Sequence, residues 1–203
     1  MKYAAIGCLV VLVLGVLIVG GSAVGAYNSL VQLDQAVQAQ WGQVQNVYQR
    51  RADLVPNLVE TVKGAANFEK ETFTAVTEAR AKVGQVSTQV AGGGAPSSQQ
   101  DLDKFQQAQA NLGGALSRLL VVVEKYPELK ATQNFRDLQA QLEGTENRIT
   151  VERMRFNEAA QAFNTKRQSF PTVLIAGFFG SRFADKPYFK AQEGAETAPK
   201  VKF

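Results

Sequence analysis

Apolar residues follow three different rules along this chain. Residues 4–26, AAIGCLVVLVLGVLIVGGSAVGA, are apolar almost without interruption, and after Lys2 the next charged residue is Asp34. That stretch is long enough to cross ~30 Å of hydrocarbon at about 1.5 Å per helical residue. From Tyr27 to about residue 66 the rule changes. Leu30, Leu33, Val37, Trp41, Val44, Tyr48, Val55, Leu58 and Val62 recur in steps of three and four, the spacing of one helical face. Pro56 interrupts, either kinking a continuous helix or opening a new one capped by Asp53; the stripe resumes in phase, which favours the kink. A second helix is predicted from about Glu69 to Val90, with Val76, Ala79, Val83, Val86 and Val90 on its apolar face. A third, about 99–125, carries Leu102, Phe105, Leu112, Leu116, Leu119 and Val123; Gln109 breaks its pattern and Tyr126-Pro127 ends it. The fourth, about 128–168, follows the third rule: Phe135, Leu142, Ile149, Phe156, Phe163 and Phe170 fall seven apart. A sustained seven-residue repeat means a seam packed on a partner helix. Its flanking positions are too polar for an isolated two-stranded coil and suit one edge of a bundle.

No segment alternates with a period of two over a useful length, so the expected class is all-α. Residues 1–26 form a transmembrane anchor, 27–169 a long antiparallel four-helix bundle, and 170–203 a short irregular segment and tail. Helix lengths order the bundle. The first and fourth helices, near 40 residues, reach roughly 60 Å, and the middle two roughly 33–40 Å. Short turns make neighbours antiparallel. The fourth helix therefore returns to the level at which the first leaves the bilayer.

Composition narrows the function. The chain has 203 residues, with Lys+Arg 22 and Asp+Glu 18, a net charge of +4 that is dispersed rather than clustered. No nucleic-acid motif accompanies it, and nucleic acid is not an expected partner. Histidine is absent and the single cysteine, Cys8, lies in the apolar span, which excludes a histidine-dependent triad and a thiolate metal site in the body. AGGGAPSS, residues 91–98, lacks the GK[ST] of a phosphate loop and reads as a turn between helices. No metal, cofactor or catalytic residue is expected, and the chain is not expected to be an enzyme.

The span reads as a permanent anchor. Ala23-Val24-Gly25 only loosely offers a cleavage site after an overlong apolar run, and Cys8 precedes most of the apolar region instead of following it. Gly21 and Gly25 form a GxxxG near the end of the span, best read as a flexible exit. Lys2 and the α-amino group precede the span, and no basic residue follows before Arg50 and Arg51. That asymmetry places the N-terminus in the cytoplasm and the body on the exported side of a bacterial inner membrane, a cytoplasmic body being the alternative.

Several segments resemble the LemA family in its own order: YNSLVQLDQAVQAQWGQVQNVYQRRADLVPNLVETVKG (27–64), EKETFTAVTEAR (69–80), ENRITVERMRFNEAAQAFNTKRQSFP (146–171), Phe179-Gly180, KPYF (186–189) and PKVKF (199–203). The resemblance implies a bacterial membrane protein with one N-terminal membrane helix and a long helical bundle, and supplies no reaction. The family often has a histidine where this chain has Phe68, and a tyrosine is common at the position of Phe163; any role for that imidazole is absent here.

Candidate contact residues fall in three groups. Arg50, Arg51, Asp53 and Asn57 surround Pro56, as a partner-binding patch or, more simply, as a local ion pair with a carboxamide serving carbonyls freed by the proline. Asn147, Asn157 and Asn164, with Thr150, Met154 and Gln161, make a polar stripe beside the phenylalanine seam, either fixing bundle register or facing a partner. FPTVLIAGFFG (170–180) is too short to span a bilayer as a helix. It folds back on the stalk or lies at the membrane surface, where Phe170, Phe178, Phe179, Arg182, Phe183, Lys186, Tyr188, Phe189 and Lys190 supply the aromatics and cations of an interfacial segment. The expected role is a membrane-anchored scaffold or adaptor, held by lipid through residues 4–26, acting on envelope proteins and open to self-association. The alternative is a lipid-organising protein using residues 170–190.

Overall fold

The computed structural model describes residues 2–63, 70–90 and 94–191. Phe68 and Glu69, the start of the glycine-rich turn at 91–93, the PKVKF motif and the side chain of Cys8 lie outside the described residues. Helix α1, Lys2–Lys63, is a single helix of 62 residues, so the span and the first bundle helix are one rod of about 93 Å. Side chains such as Leu12, Leu17 and Ile18 pack on nothing in the protein. Burial begins at Ala26 and Leu30. Pro56 sits inside the continuous helix, so Asp53 caps nothing.

Helix α2, Lys70–Val90, and α3, Gln99–Val123, pack closely on each other. In the turn before α3, Gly94 has φ +149°, and a Cβ there would collide with Gln38 of α1, whose Oε1 accepts a hydrogen bond from Ala95 N at 2.6 Å. Ser98 then caps α3, its hydroxyl accepting from Asp101 N at 3.1 Å.

The fourth helix is shorter than its periodicity predicts. Pro127–Lys130 forms one separate turn, α4, and the long helix α5 runs Gln133–Gln168. Thr132 causes the restart: its hydroxyl donates to Leu129 O at 2.8 Å and accepts from Phe135 N at 3.4 Å, ending one helix and capping the next. Phe135, Leu142, Ile149, Phe156 and Phe163 are buried as the seam requires, and their main partner is α1. Phe170 is not part of the seam. Ser169 is already extended, Pro171 follows, and Phe170 stands 81 % exposed.

The core has two halves. Near the outer end Val55, Leu58, Val62, Val76, Leu112, Leu119 and Phe135 pack together. Near the membrane end Leu30, Val37, Trp41, Phe105, Phe156 and Phe163 do so, with Phe183 and Phe189 from the C-terminal segment. These pairings make α1 and α3 parallel and α2 and α5 antiparallel to them, the predicted bundle. The segment expected to be irregular is partly helical: α6 spans Thr172–Phe178, and a 3-10 turn spans Gly180–Phe183. Gly180 has φ +54°, a left-handed turn that glycine adopts without strain. Among the described residues there is no strand.

Candidate functional site

The membrane-proximal end of the bundle is organised by its last described segment. After the turn at Gly180, residues 184–191 run back along α5 toward α3 as an extended strap. Three carboxamides read its backbone, each donating to a carbonyl and accepting from the N–H of the same residue. Asn164 pairs with Lys186 (2.9 and 2.8 Å), Asn157 with Phe189 (3.0 and 2.8 Å), and Gln99 of α3 with Tyr188 (3.0 and 3.2 Å). Arg153 and Gln106 donate to Lys190 O at 2.9 and 3.1 Å, and Arg167 to Phe183 O. An extended segment outside a sheet leaves its backbone groups unpaired; these side chains replace a neighbouring strand.

The strap is also locked by rings and charges. Phe189 is buried against Trp41 and Phe156, at centroid distances of 6.3 and 5.4 Å, with the Arg153 guanidinium 4.8 Å from its ring centre. Lys186 forms an ion pair with Asp34, which is 5 % exposed, and its ammonium lies 4.9 Å from the Phe163 ring centre. Arg182 approaches the same carboxylate at 4.0 Å. Asp34 and Arg51 both fall on the buried stripe of α1, the one signal in the sequence that would have found them.

The residues expected at a membrane interface therefore divide. Phe183 and Phe189 are buried in the bundle, Lys186 is ion-paired, and Tyr188 receives a hydrogen bond on its hydroxyl from Asn164 at 3.0 Å. Lys190 is exposed and lies 3.8 Å from Asp103. α6 is different. Phe170 and Phe178 are 81 % and 85 % exposed, and Leu174 is 63 % exposed. Phe179 packs with its ring tilted against Tyr27, the first residue after the span, at a centroid distance of 4.9 Å, and Tyr27 also meets Phe183 at 5.5 Å. The exposed face of α6 thus lies at the level where α1 leaves its apolar stretch, with exposed Arg182 beside it.

The patch around Pro56 does not act as one unit. Arg51 points inward: Nη1 pairs with Glu146 of α5 at 2.8 Å and Nη2 donates to Gln109 O of α3 at 2.9 Å. Its partner is thus a carboxylate on another helix, not Asp53, which accepts from Gln49 at 2.7 Å. Gln109, the break in the α3 pattern, is the second acceptor of that buried node, through Oε1 as well. The carbonyl freed by Pro56 belongs to Ala52, and it is served by Arg80 Nε of α2 at 3.0 Å, not by Asn57. Arg50, Asp53 and Asn57 remain exposed on α1. Asn147 is exposed on α5, while Asn157 and Asn164 are engaged by the strap.

An open groove of about 1260 Å³ lies between α3 and α5, beginning where the strap ends at Lys190 and Ala191. Among the described residues no three His, Cys, Asp or Glu side chains gather to hold a metal ion.

The chain is similar to several bacterial proteins. Magnetosome protein MamQ 2 of Paramagnetospirillum magneticum is 26 % identical, over 84 % of this chain and 67 % of its own. Magnetosome protein MamQ of Magnetospirillum gryphiswaldense is 25 % identical with the same coverage. Protein LemA of Metamycoplasma hominis is 26 % identical, over 75 % of this chain and 64 % of its own. The LemA family profile matches residues 40–203, which takes in most of the bundle, α6 and the strap, and the chain belongs to the LemA family.

Proposed function

We propose that this protein is a membrane-seated helical scaffold of the bacterial envelope, without a reaction of its own. The bundle is fixed to the bilayer at two points, the span of α1 and the apolar face of α6, and its outer part is displayed to envelope proteins. One observation carries this reading: Phe170, Leu174 and Phe178 are exposed at the level of Tyr27, beside the only described helix that is long and apolar enough to cross a membrane. Fully burying such a side chain contributes about 1.5–3 kcal/mol, whereas one cation near an anionic surface contributes about 1 kcal/mol. The aromatic and aliphatic side chains, more than Arg182, therefore hold α6 at the surface. A continuous α1 passes that fixed orientation straight into the bundle.

The displayed surface for protein partners is the exposed row Arg50, Asp53 and Asn57, together with Asn147. The charge asymmetry around the span supports a body on the exported side. Photo-cross-linking residues introduced into the full chain in cells test both parts. A probe at Phe178 is expected to capture lipid, and probes at Arg50 and Asn57 to capture protein. Capture of protein alone at Phe178 removes the second membrane point; absence of any protein at Arg50 and Asn57 removes the adaptor role. A reporter fused after residue 203 is expected to be active only when exported, and activity restricted to a cytoplasmic reporter reverses the orientation.

A further inference from the structure

The groove between α3 and α5 holds both closed and open charges. Two pairs are closed: Arg51 with Glu146 at 2.8 Å, and Lys190 with Asp103 at 3.8 Å. Two charges on α5 remain. Arg153 meets the Lys190 carbonyl, the Phe189 ring and the Tyr48 hydroxyl, all of them neutral. Glu143 accepts from the neutral Gln139 carboxamide at 3.0 Å. Neither has an ion-pair partner among the described residues. They stand about 15 Å apart along the helix. Between them, Gln109 Nε2 and Arg51 Nε are buried donors with no acceptor among the described residues. The facing wall on α3 is bare: a Cβ added at Gly113 or Gly114 meets nothing within 4 Å.

We propose that this groove binds an extended peptide segment of a partner protein, with an acidic side chain facing Arg153 and a basic one, four residues away, facing Glu143. Three observations favour this occupant. The strap enters the same groove at Lys190 as an extended chain whose backbone is read by Gln99, Asn157 and Asn164, so the binding mode continues an interface the protein already uses. The charge spacing fits an extended chain. Four residues rise about 13 Å, and positions an even number apart share a face; long charged side chains cover the rest. Donors and space fall between the two charges. Backbone carbonyls of the peptide offer Gln109 and Arg51 the acceptors they lack, and Gly113 and Gly114 let that backbone approach α3. A small free anion answers Arg153 and leaves Glu143 unmatched. The inference rests on the scaffold reading in taking protein as the partner, but uses a different surface from Arg50 and Asn57. Cross-linking there and peptide binding here therefore fail separately.

The test uses the full chain in lipid nanodiscs and a displayed library of random peptides. Enriched peptides are expected to carry an acidic residue and a Lys or Arg four positions from it. One such peptide, synthesised with a fluorophore, is then titrated by anisotropy. Replacing its acidic residue by glutamine should weaken binding at least about tenfold, because the Arg153 guanidinium is left facing no charge. Glu143→Lys, on an exposed side chain that the fold does not use, should weaken binding of the original peptide and restore it for a peptide whose basic residue is changed to glutamate. The rescue separates a charge contact from a structural effect. No enrichment, enriched peptides without that spacing, or a Glu143→Lys variant that is either indifferent or not rescued would each overturn the proposal. So would binding that appears only when residues 192–203 are removed, which would assign the groove to the chain's own tail.

Discussion

Arg51 is 5 % exposed, and its charge is met by Glu146, Gln109 and the face of Tyr48, 5.3 Å from its guanidinium carbon. Removing it strands the buried acceptors of Gln109 on α3 and breaks the ion pair with the half-exposed Glu146 on α5. Leaving buried hydrogen-bonding groups unpaired costs about 1–3 kcal/mol, so Arg51→Met is expected to lower stability by that amount in chemical denaturation. Neighbouring Arg50 is exposed, and Arg50→Met should stay within about 0.5 kcal/mol. Tyr48 in the same node carries a pH signature. Burial raises its hydroxyl pKa above the ordinary 10.0, against the lowering influence of Arg153 and Arg51. The folded chain then keeps a proton that the unfolded chain has released, so the unfolded state binds fewer protons and stability falls as pH rises above about 10. Below that value the contribution is intact. Tyr48→Phe is expected to lose less stability than the native chain between about pH 9 and 11, measured by denaturation at each pH; parallel losses in the two would show that Tyr48 is not the group responsible.

At the scale of elements, α1 stays whole through Pro56 because α2 supplies a substitute donor. Pro56 has no N–H for Ala52 O, and Arg80 Nε takes its place. Arg80→Ala should cost about 1 kcal/mol in the native chain. In a Pro56→Ala background the helix regains its own donor, and that cost should shrink toward zero in a double-mutant cycle. An unchanged cost would mean that Arg80 acts elsewhere. The four long helices, their apolar faces and their order were legible because period and length carry that information over many turns. The break at Thr132 was not, since a capping threonine leaves the seven-residue spacing undisturbed. The same repeat pointed to Phe170 although the helix had ended. The strap was illegible for a different reason. Its backbone partners lie 22 to 89 residues away in sequence, and its inward-facing residues are too few to show a period. Of the candidate contact residues, the sequence identified Asn157 and Asn164 as a polar stripe without showing that the chain itself uses them. Gln109 appeared only as an interruption.

For the whole molecule, the decisive feature is that the start of the bundle and its last described segment meet at one end of it. α1 enters the core at Ala26 and Leu30, and α5, α6 and the strap return to Tyr27, Asp34 and Trp41. Asp34 and Lys186 join the first and last parts of this end, so α6 is held in a fixed place relative to the span. A bundle attached only by α1 is free to tilt on its rod; one that also rests on Phe170, Leu174 and Phe178 is not. Spin labels in the full chain reconstituted in liposomes, on single cysteines in a Cys8→Ser background, measure this directly by comparing collisions with oxygen and with a water-soluble nickel complex. Labels at Leu174 and Phe178 are expected to report lipid, with collisions favouring oxygen, while a label at Gln161, exposed higher on α5, reports water. If the labels at Leu174 and Phe178 are as accessible to the nickel complex as the one at Gln161, the bundle does not rest on the bilayer and the two-point seat is wrong.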